Sequence, residues 1–276
     1  MLVFVHINKT AGSTLRSILR SSYGSRHCEV EPWEGRWLDT PFDAEDLRRV
    51  RKLYPNLASI AGHRVVGHVD LQANDLRYLS MLREPLKLAA SRYQYRINHR
   101  QKHDLTFEQW IDREWVRNPQ CKRMAGSANA ADAIATIERT GMFVGLTERF
   151  DESVVMLQRL VAPDLDISYE SVNVANDNTI SKGLLSDART RRLLESANVE
   201  DLELYEYVRD EMYPRLRREV GPSLEPMVQR FVAEQRNAFS RRKLVAFRAK
   251  QHLVYRPVLS LSRRTWSRPV MAKLVA

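Results

Sequence analysis

Cysteine is nearly absent: the 276 residues hold only Cys28 and Cys121, far apart in the chain. That excludes a disulfide framework and a CxxC metal site, and makes a reducing, cytoplasmic setting the expectation. No apolar run reaches the roughly 18 residues that would indicate a membrane span. Met1-Leu2-Val3-Phe4-Val5-His6-Ile7 is apolar but too short for the core of a signal peptide, and no basic segment precedes it. No cluster of carboxylates marks a metal site. Acidic residues are missing from everything after Glu234, where Arg236, Arg241, Arg242, Lys243, Arg248, Lys250, Arg256, Arg263, Arg264, Arg268 and Lys273 are the charged side chains. These 11 account for the formal net charge of +10, since without them 33 Lys+Arg face 34 Asp+Glu. The body is electrostatically ordinary and the tail is the polycation.

What is present is a globular composition, 43% hydrophobic and 28% charged. It suits one large α/β domain, taken as residues 1–221, followed by a basic helical extension over 222–276. Residues 2–7 read as a strand buried on both faces. Leu15, Ile18 and Leu19 give helical spacing over 13–22, with Ser13 and Thr14 suited to the helix N-terminus. A helix is expected over Asp43–Tyr54 and strands over Leu57–Ala61, Tyr78–Leu82 and Met142–Leu146. Pro85 opens a helix in which Leu86, Ala89, Ala90, Tyr93 and Ile97 share a face. Further helices are expected over Thr106–Val116, Glu148–Val161, and roughly 186–196, 200–219 and 224–252. Pro32 to Pro41 reads as irregular, and the polar stretch Ser168–Lys182 as a long loop of the functional kind. Strands alternating with helices argue for a mostly parallel sheet covered on both faces.

The chemistry concentrates where the first strand ends. His6-Ile7-Asn8-Lys9-Thr10-Ala11-Gly12-Ser13-Thr14 joins strand to helix through a tight loop. Unpaired amides at a helix start, together with the helix dipole, form an anion site. Lys9 adds a mobile charge, Thr10, Ser13 and Thr14 add hydroxyls, and Gly12 permits close approach of the backbone. A Walker A loop needs its glycine before the lysine. Here the order is reversed, which disfavours an ATPase or a nucleotide kinase. In isolation, the same pattern also suits a plain strand–turn–helix with a surface lysine.

Val5 to Leu15 resembles the 5'-phosphosulfate loop of carbohydrate sulfotransferases of the heparan, uronyl and chondroitin type, whose pattern reads HxPKTGGT. Asn8 stands for the usual Pro and Ala11 for a frequent Gly. Leu82-Arg83-Glu84-Pro85-Leu86-Lys87-Leu88-Ala89-Ala90-Ser91-Arg92-Tyr93 resembles the 3'-phosphate motif of the same family, LRDPxxRxxSxY, with Glu84 for Asp and Lys87-Leu88 where an Arg is common. Gly145–Ser153 and Asp201–Tyr207 also resemble this family and read as helix caps and core aromatics. The resemblance implies a P-loop-like three-layer α/β/α fold and a donor, PAPS (3'-phosphoadenosine-5'-phosphosulfate), that leaves as PAP. It implies that Lys9, Thr10, Ala11, Gly12, Ser13 and Thr14 hold the 5'-phosphosulfate, and that Arg83 and Ser91 hold the 3'-phosphate. Lys182 is a further phosphate candidate.

In-line sulfuryl transfer to a hydroxyl also needs a base, and histidine suits neutral pH. His63 and His68 both follow the second expected strand. Relatives carry a Gly-His about twenty residues before the 3'-phosphate arginine, and His63 lies 20 residues before Arg83, so His63 is favoured. His68 stays open, as do Glu31 and Glu34. The expected acceptor is a glycan or glycoconjugate. The basic tail is open to an anionic acceptor, a membrane surface, or a solvated extension, and nucleic acid is the less expected partner.

Overall fold

The computed structural model describes residues 1–33, 40–98, 104–169, 178–235 and 241–271. Glu34 and most of the Pro32–Pro41 stretch lie outside them. Five parallel strands make one sheet: β1 Leu2–Val5, β2 His27–Glu29, β3 Ser59–Gly62, β4 Arg77–Leu82 and β5 Phe143–Leu146, in the order β2-β3-β1-β4-β5. β1 is central, and all four of its side chains are buried, as expected for a strand covered on both faces. It is shorter than the expected 2–7, because the chain turns away at His6 into the loop that precedes α1 (Gly12–Tyr23).

Helices surround the sheet. α2 (Ala44–Leu53) starts in a reciprocal cap in which Asp43 accepts from the Asp46 amide and Asp46 accepts from the Asp43 amide. α3 (Pro85–Asn98) follows β4 with proline at its first position. α4 covers only Phe107–Ile111, shorter than expected, since its chain turns at Asp112. Next come α5 (Pro119–Ala125), α6 (Ala130–Thr140) and α7 (Phe150–Leu160). α8 (Thr179–Ser186) occupies the end of the expected Ser168–Lys182 loop, so Lys182 is helical, while residues 170–177 lie outside the described set. α9 (Ala188–Ala197), α10 (Val199–Tyr207), α11 (Tyr213–Val220) and α12 (Leu224–Arg230) follow. α13 (Arg241–Lys250) runs through a wider turn at Gln251–Tyr255 into α14 (Arg256–Met271).

The end of α13 and the wider turn after it are a working part of the sheet's edge. β2 would otherwise present unpaired backbone groups. The Glu29 amide donates to Gln251 Oε1 at 3.1 Å, and Gln251 Nε2 donates to the Glu29 carbonyl at 2.8 Å. Tyr255 repeats the pattern two residues on: its hydroxyl accepts from the Glu31 amide at 2.9 Å and donates to the Glu31 carbonyl at 3.1 Å. Two side chains thereby imitate a neighbouring strand. Phe247 packs beside them, against the His27 ring and the Arg20 guanidinium. The basic segment is therefore docked on the body rather than solvated all round.

Candidate active site

Parallel register brings three strand ends together. Val5 pairs with Gly62 on one side and Ser80 on the other. The segments leaving β3, β1 and β4 thus emerge side by side, about 4.8 Å apart per strand. This C-terminal edge is where open α/β sheets bind ligands.

The loop after β1 is held in a costly shape. Lys9 and Ala11 have φ of 71° and 59°, in the left-handed region, while Thr10 between them does not. Each such non-glycine residue costs about 1–2 kcal/mol. Alternation of this kind turns successive amides toward one side and forms an anion-binding concavity. The Thr10 hydroxyl donates to the Ile7 carbonyl at 2.9 Å, so its proton ties the loop rather than facing outward. No side chain caps α1, and its first turn has no acidic residue, so Ser13 and Thr14 do not act as the cap that their position suggested. Thr14 and Leu15 amides return to the Ala11 carbonyl. Gly12 is required by crowding from behind: a Cβ there would lie 2.0 Å from His6 Nε2.

Arg83 joins this loop from the neighbouring strand. Its Nη1 donates to the Lys9 carbonyl at 3.1 Å. The Lys9 ammonium stands 4.6 Å from the centre of the Tyr95 ring. Burial, then the nearby Arg83, lowers the Lys9 pKa. Burial lowers that of Arg83 as well, opposed by Glu148 and Glu84. Ser91 is half-buried on α3, one turn before Tyr95, so it shares the helix face that meets Lys9. The two resembling segments are thus joined into one cationic patch. Lys182, on α8, forms no contact with it among those described.

A residue the sequence does not single out, and others in segments expected to be architectural, hold Arg83 in place. Gln120 on α5 clamps both its backbone groups: the Arg83 amide donates to Gln120 Oε1 and Gln120 Nε2 donates to the Arg83 carbonyl, each at 3.0 Å. Asp201, fully buried, accepts the Gln120 and Cys121 amides and so caps α5. Burial pushes its pKa up to about 6 in spite of those amides. Glu84 caps α3 through the Leu86 and Lys87 amides, while Glu148 accepts the Glu84 amide and the Tyr205 hydroxyl. A reciprocal Gln–backbone clamp leaves no local pattern by which Gln120 could have been singled out.

On the other side of β1, His63 directly follows β3. Its ring lies 4.9 Å from that of His6, centre to centre. Its carbonyl accepts from Arg123 Nη1 at 2.6 Å. Burial, then the cations Arg16 and Arg123, lower its pKa, so the imidazole is neutral near pH 7 and able to accept a proton. His6, more deeply buried, is held down to about 3. His68 instead sits against Gly126 at the end of α5.

Two carboxylates lie nearby. Glu31 is engaged with Arg263. Glu29, on β2, is gripped by Arg16 at 2.7 Å and by Arg20. Burial alone would raise its pKa, but the two guanidiniums outweigh that and hold it at about 2. So low a value makes Glu29 a poor base at neutral pH.

The sequence model of the galactose-3-O-sulfotransferase family matches residues 97–259, more than half of the chain. A comparison with curated proteins finds no match. The matched span begins inside α3, past the phosphate loop and Arg83, and includes Gln120, Glu148, Asp201 and Tyr205. It runs through α13 and ends at Leu259. The strand–loop–helix opening, the parallel sheet and this match agree: the chain belongs to the galactose-3-O-sulfotransferase family, a family of carbohydrate sulfotransferases, and is a sulfotransferase.

Proposed function

We propose that this sulfotransferase moves the sulfuryl group of PAPS to a hydroxyl of a glycan. The bond between sulfur and the 5'-phosphate oxygen breaks, a bond between sulfur and the acceptor oxygen forms in line with it, and PAP leaves. The amides of residues 10–13 cradle the 5'-phosphate, the Thr14 amide being engaged with the Ala11 carbonyl. Lys9 meets the bridging oxygen, where negative charge develops. Arg83 and Ser91 hold the 3'-phosphate. His63, neutral and one strand away, takes the proton of the acceptor hydroxyl as the new bond forms. Galactose hydroxyls are the first acceptors to try, since the matched family is described by them.

The observation that carries this reading is the hydrogen bond from Arg83 to the Lys9 carbonyl, which joins two separately resembling segments in one cationic patch. Thermal unfolding with PAP tests the donor half: PAP should raise the unfolding temperature of the native protein, and no shift at saturating PAP would overturn the reading. Labelled PAPS offered with galactose-terminated glycans tests the acceptor half. Transfer only to small non-sugar alcohols would move the acceptor outside carbohydrates.

A further inference from the structure

The C-terminal helix carries two apolar stripes, and the sheet uses only one of them. Phe247, Gln251, Tyr255 and Leu259 are buried against the body, one every four residues, a spacing kept by the wider turn at Gln251–Tyr255. Residues displaced by two from each of these lie on the opposite side. They are Val245, Ala249, Leu253, Pro257 and Leu261, all apolar and all exposed. Val245, Leu253 and Leu261 are 63%, 77% and 62% exposed, among the most exposed large hydrophobic side chains of the described residues. Arg248, His252 and Arg256 run along one flank of this outer stripe, also exposed, and Arg242 lies on the other. No acidic residue occurs anywhere after Glu234.

We propose that this outer stripe is a docking surface for an anionic lipid bilayer, on which the enzyme lies with α13 and α14 in the plane of the headgroups. An apolar stripe flanked by arginine is what such a surface takes in: the aliphatic side chains enter the acyl boundary, and the guanidiniums stay with the phosphates. Nearby basic residues add to the attraction toward an anionic leaflet. A second copy of this chain fits the stripe less well, because two such faces would bring arginine against arginine with no carboxylate between them. A glycan or nucleic acid would meet the arginines but leave the leucine and valine side chains in water. No helix among the described residues is long and apolar enough to cross a membrane, so the mode is surface docking. Because the inner stripe is pinned to β2, the charges and the apolar side chains are presented in fixed register rather than on a loose tail.

Co-sedimentation of the full chain with vesicles tests this directly. It should sediment with phosphatidylcholine–phosphatidylglycerol vesicles and not with phosphatidylcholine alone, and added salt should weaken the binding. Val245→Ser with Leu253→Ser should lower the partition coefficient by about tenfold or more. Arg248→Gln with Arg256→Gln should lower it by about thirtyfold. All four positions are exposed, so both variants should keep the native unfolding temperature. The proposal fails if the native chain ignores anionic vesicles, or binds neutral ones equally. It also fails if the outer stripe proves to drive a dimer that Leu253→Ser dissolves. Heparin binding without vesicle binding would assign the surface to glycan and overturn it as well. A missing PAP shift in native and variant protein alike would sink the donor reading and leave this one standing.

Discussion

Two pairs of cations, one on α1 and one beside its start, are treated in opposite ways. Arg16 and Arg20 share one partner, Glu29, and their charge is spent inside the structure. Lys9 and Arg83 stand side by side, and among the described residues neither forms an ion pair. A backbone carbonyl and a tyrosine ring hold them instead. Charge neutralised by a carboxylate stabilises the fold. Charge held by neutral groups remains available to a ligand, and the fold bears the repulsion. The left-handed backbone at Lys9 and Ala11 belongs to the second kind, since strain of that sort clusters where a ligand is bound.

Substitutions should separate the two kinds. The largest effect is expected at His63, on the other side of β1 from Arg83: His63→Ala should cut turnover by about 10²–10⁴-fold while PAP still raises the unfolding temperature. In the native enzyme the rate should fall as pH drops through a pKa below 6.5, and this acid limb should vanish in the variant. An unchanged rate would pass the role to His68. Lys9→Ala should cost about 10²–10³-fold in kcat with stability intact, because no ion pair is lost. If it destabilised the protein as much as breaking the Glu29 cluster does, the distinction between the pairs would collapse.

At the first pair the effect should be on stability. Glu29→Gln strands two half-buried guanidiniums and should cost about 2 kcal/mol in thermal or urea unfolding. The native Glu29 is held at about 2, well below its ordinary 4.5. Its contribution is therefore complete above pH 4.5 and disappears as pH falls from there toward 2. Glu29→Gln should flatten the acid limb of the stability curve over that window, and an unaltered limb would show that the cluster is not coupled to folding. The smallest effect is at Ala11. Ala11→Gly removes the left-handed penalty and should stabilise by about 0.5–1 kcal/mol, after the larger unfolded-state entropy of glycine is counted. A loss of stability would mean that the Ala11 methyl group packs against the loop.

Much of the candidate site was legible because its parts are local. β1, α1, β4 and α3 each carry their own apolar period, and Lys9, Gly12 and Arg83 fall at their junctions. β2 was missed, since His27-Cys28-Glu29 shows a single apolar residue and is a strand only because β3 pairs with it and α13 covers it. α6 was missed as well, although Asn129, which caps it, and Gly141, which ends it, were readable signals. The polarity of Thr179–Lys182 argues for loop, yet α8 packs there beside α3, where Gln94 accepts the Ser181 amide.

The sequence alone determined the strand–loop–helix that opens the chain, the order of the phosphate-type segments, and the polycationic end, because each rests on neighbours in the chain. Tertiary structure decided which cations stay available. Glu29 lies thirteen residues from Arg16 and Gln120 lies 37 from Arg83, and only the register of the parallel sheet and the capping of α5 bring these groups within hydrogen-bond reach. It also decided that the basic end is two-faced: Phe247, Gln251 and Tyr255 turn inward to complete the edge of β2, and that docking is what leaves Val245 and Leu253 facing out.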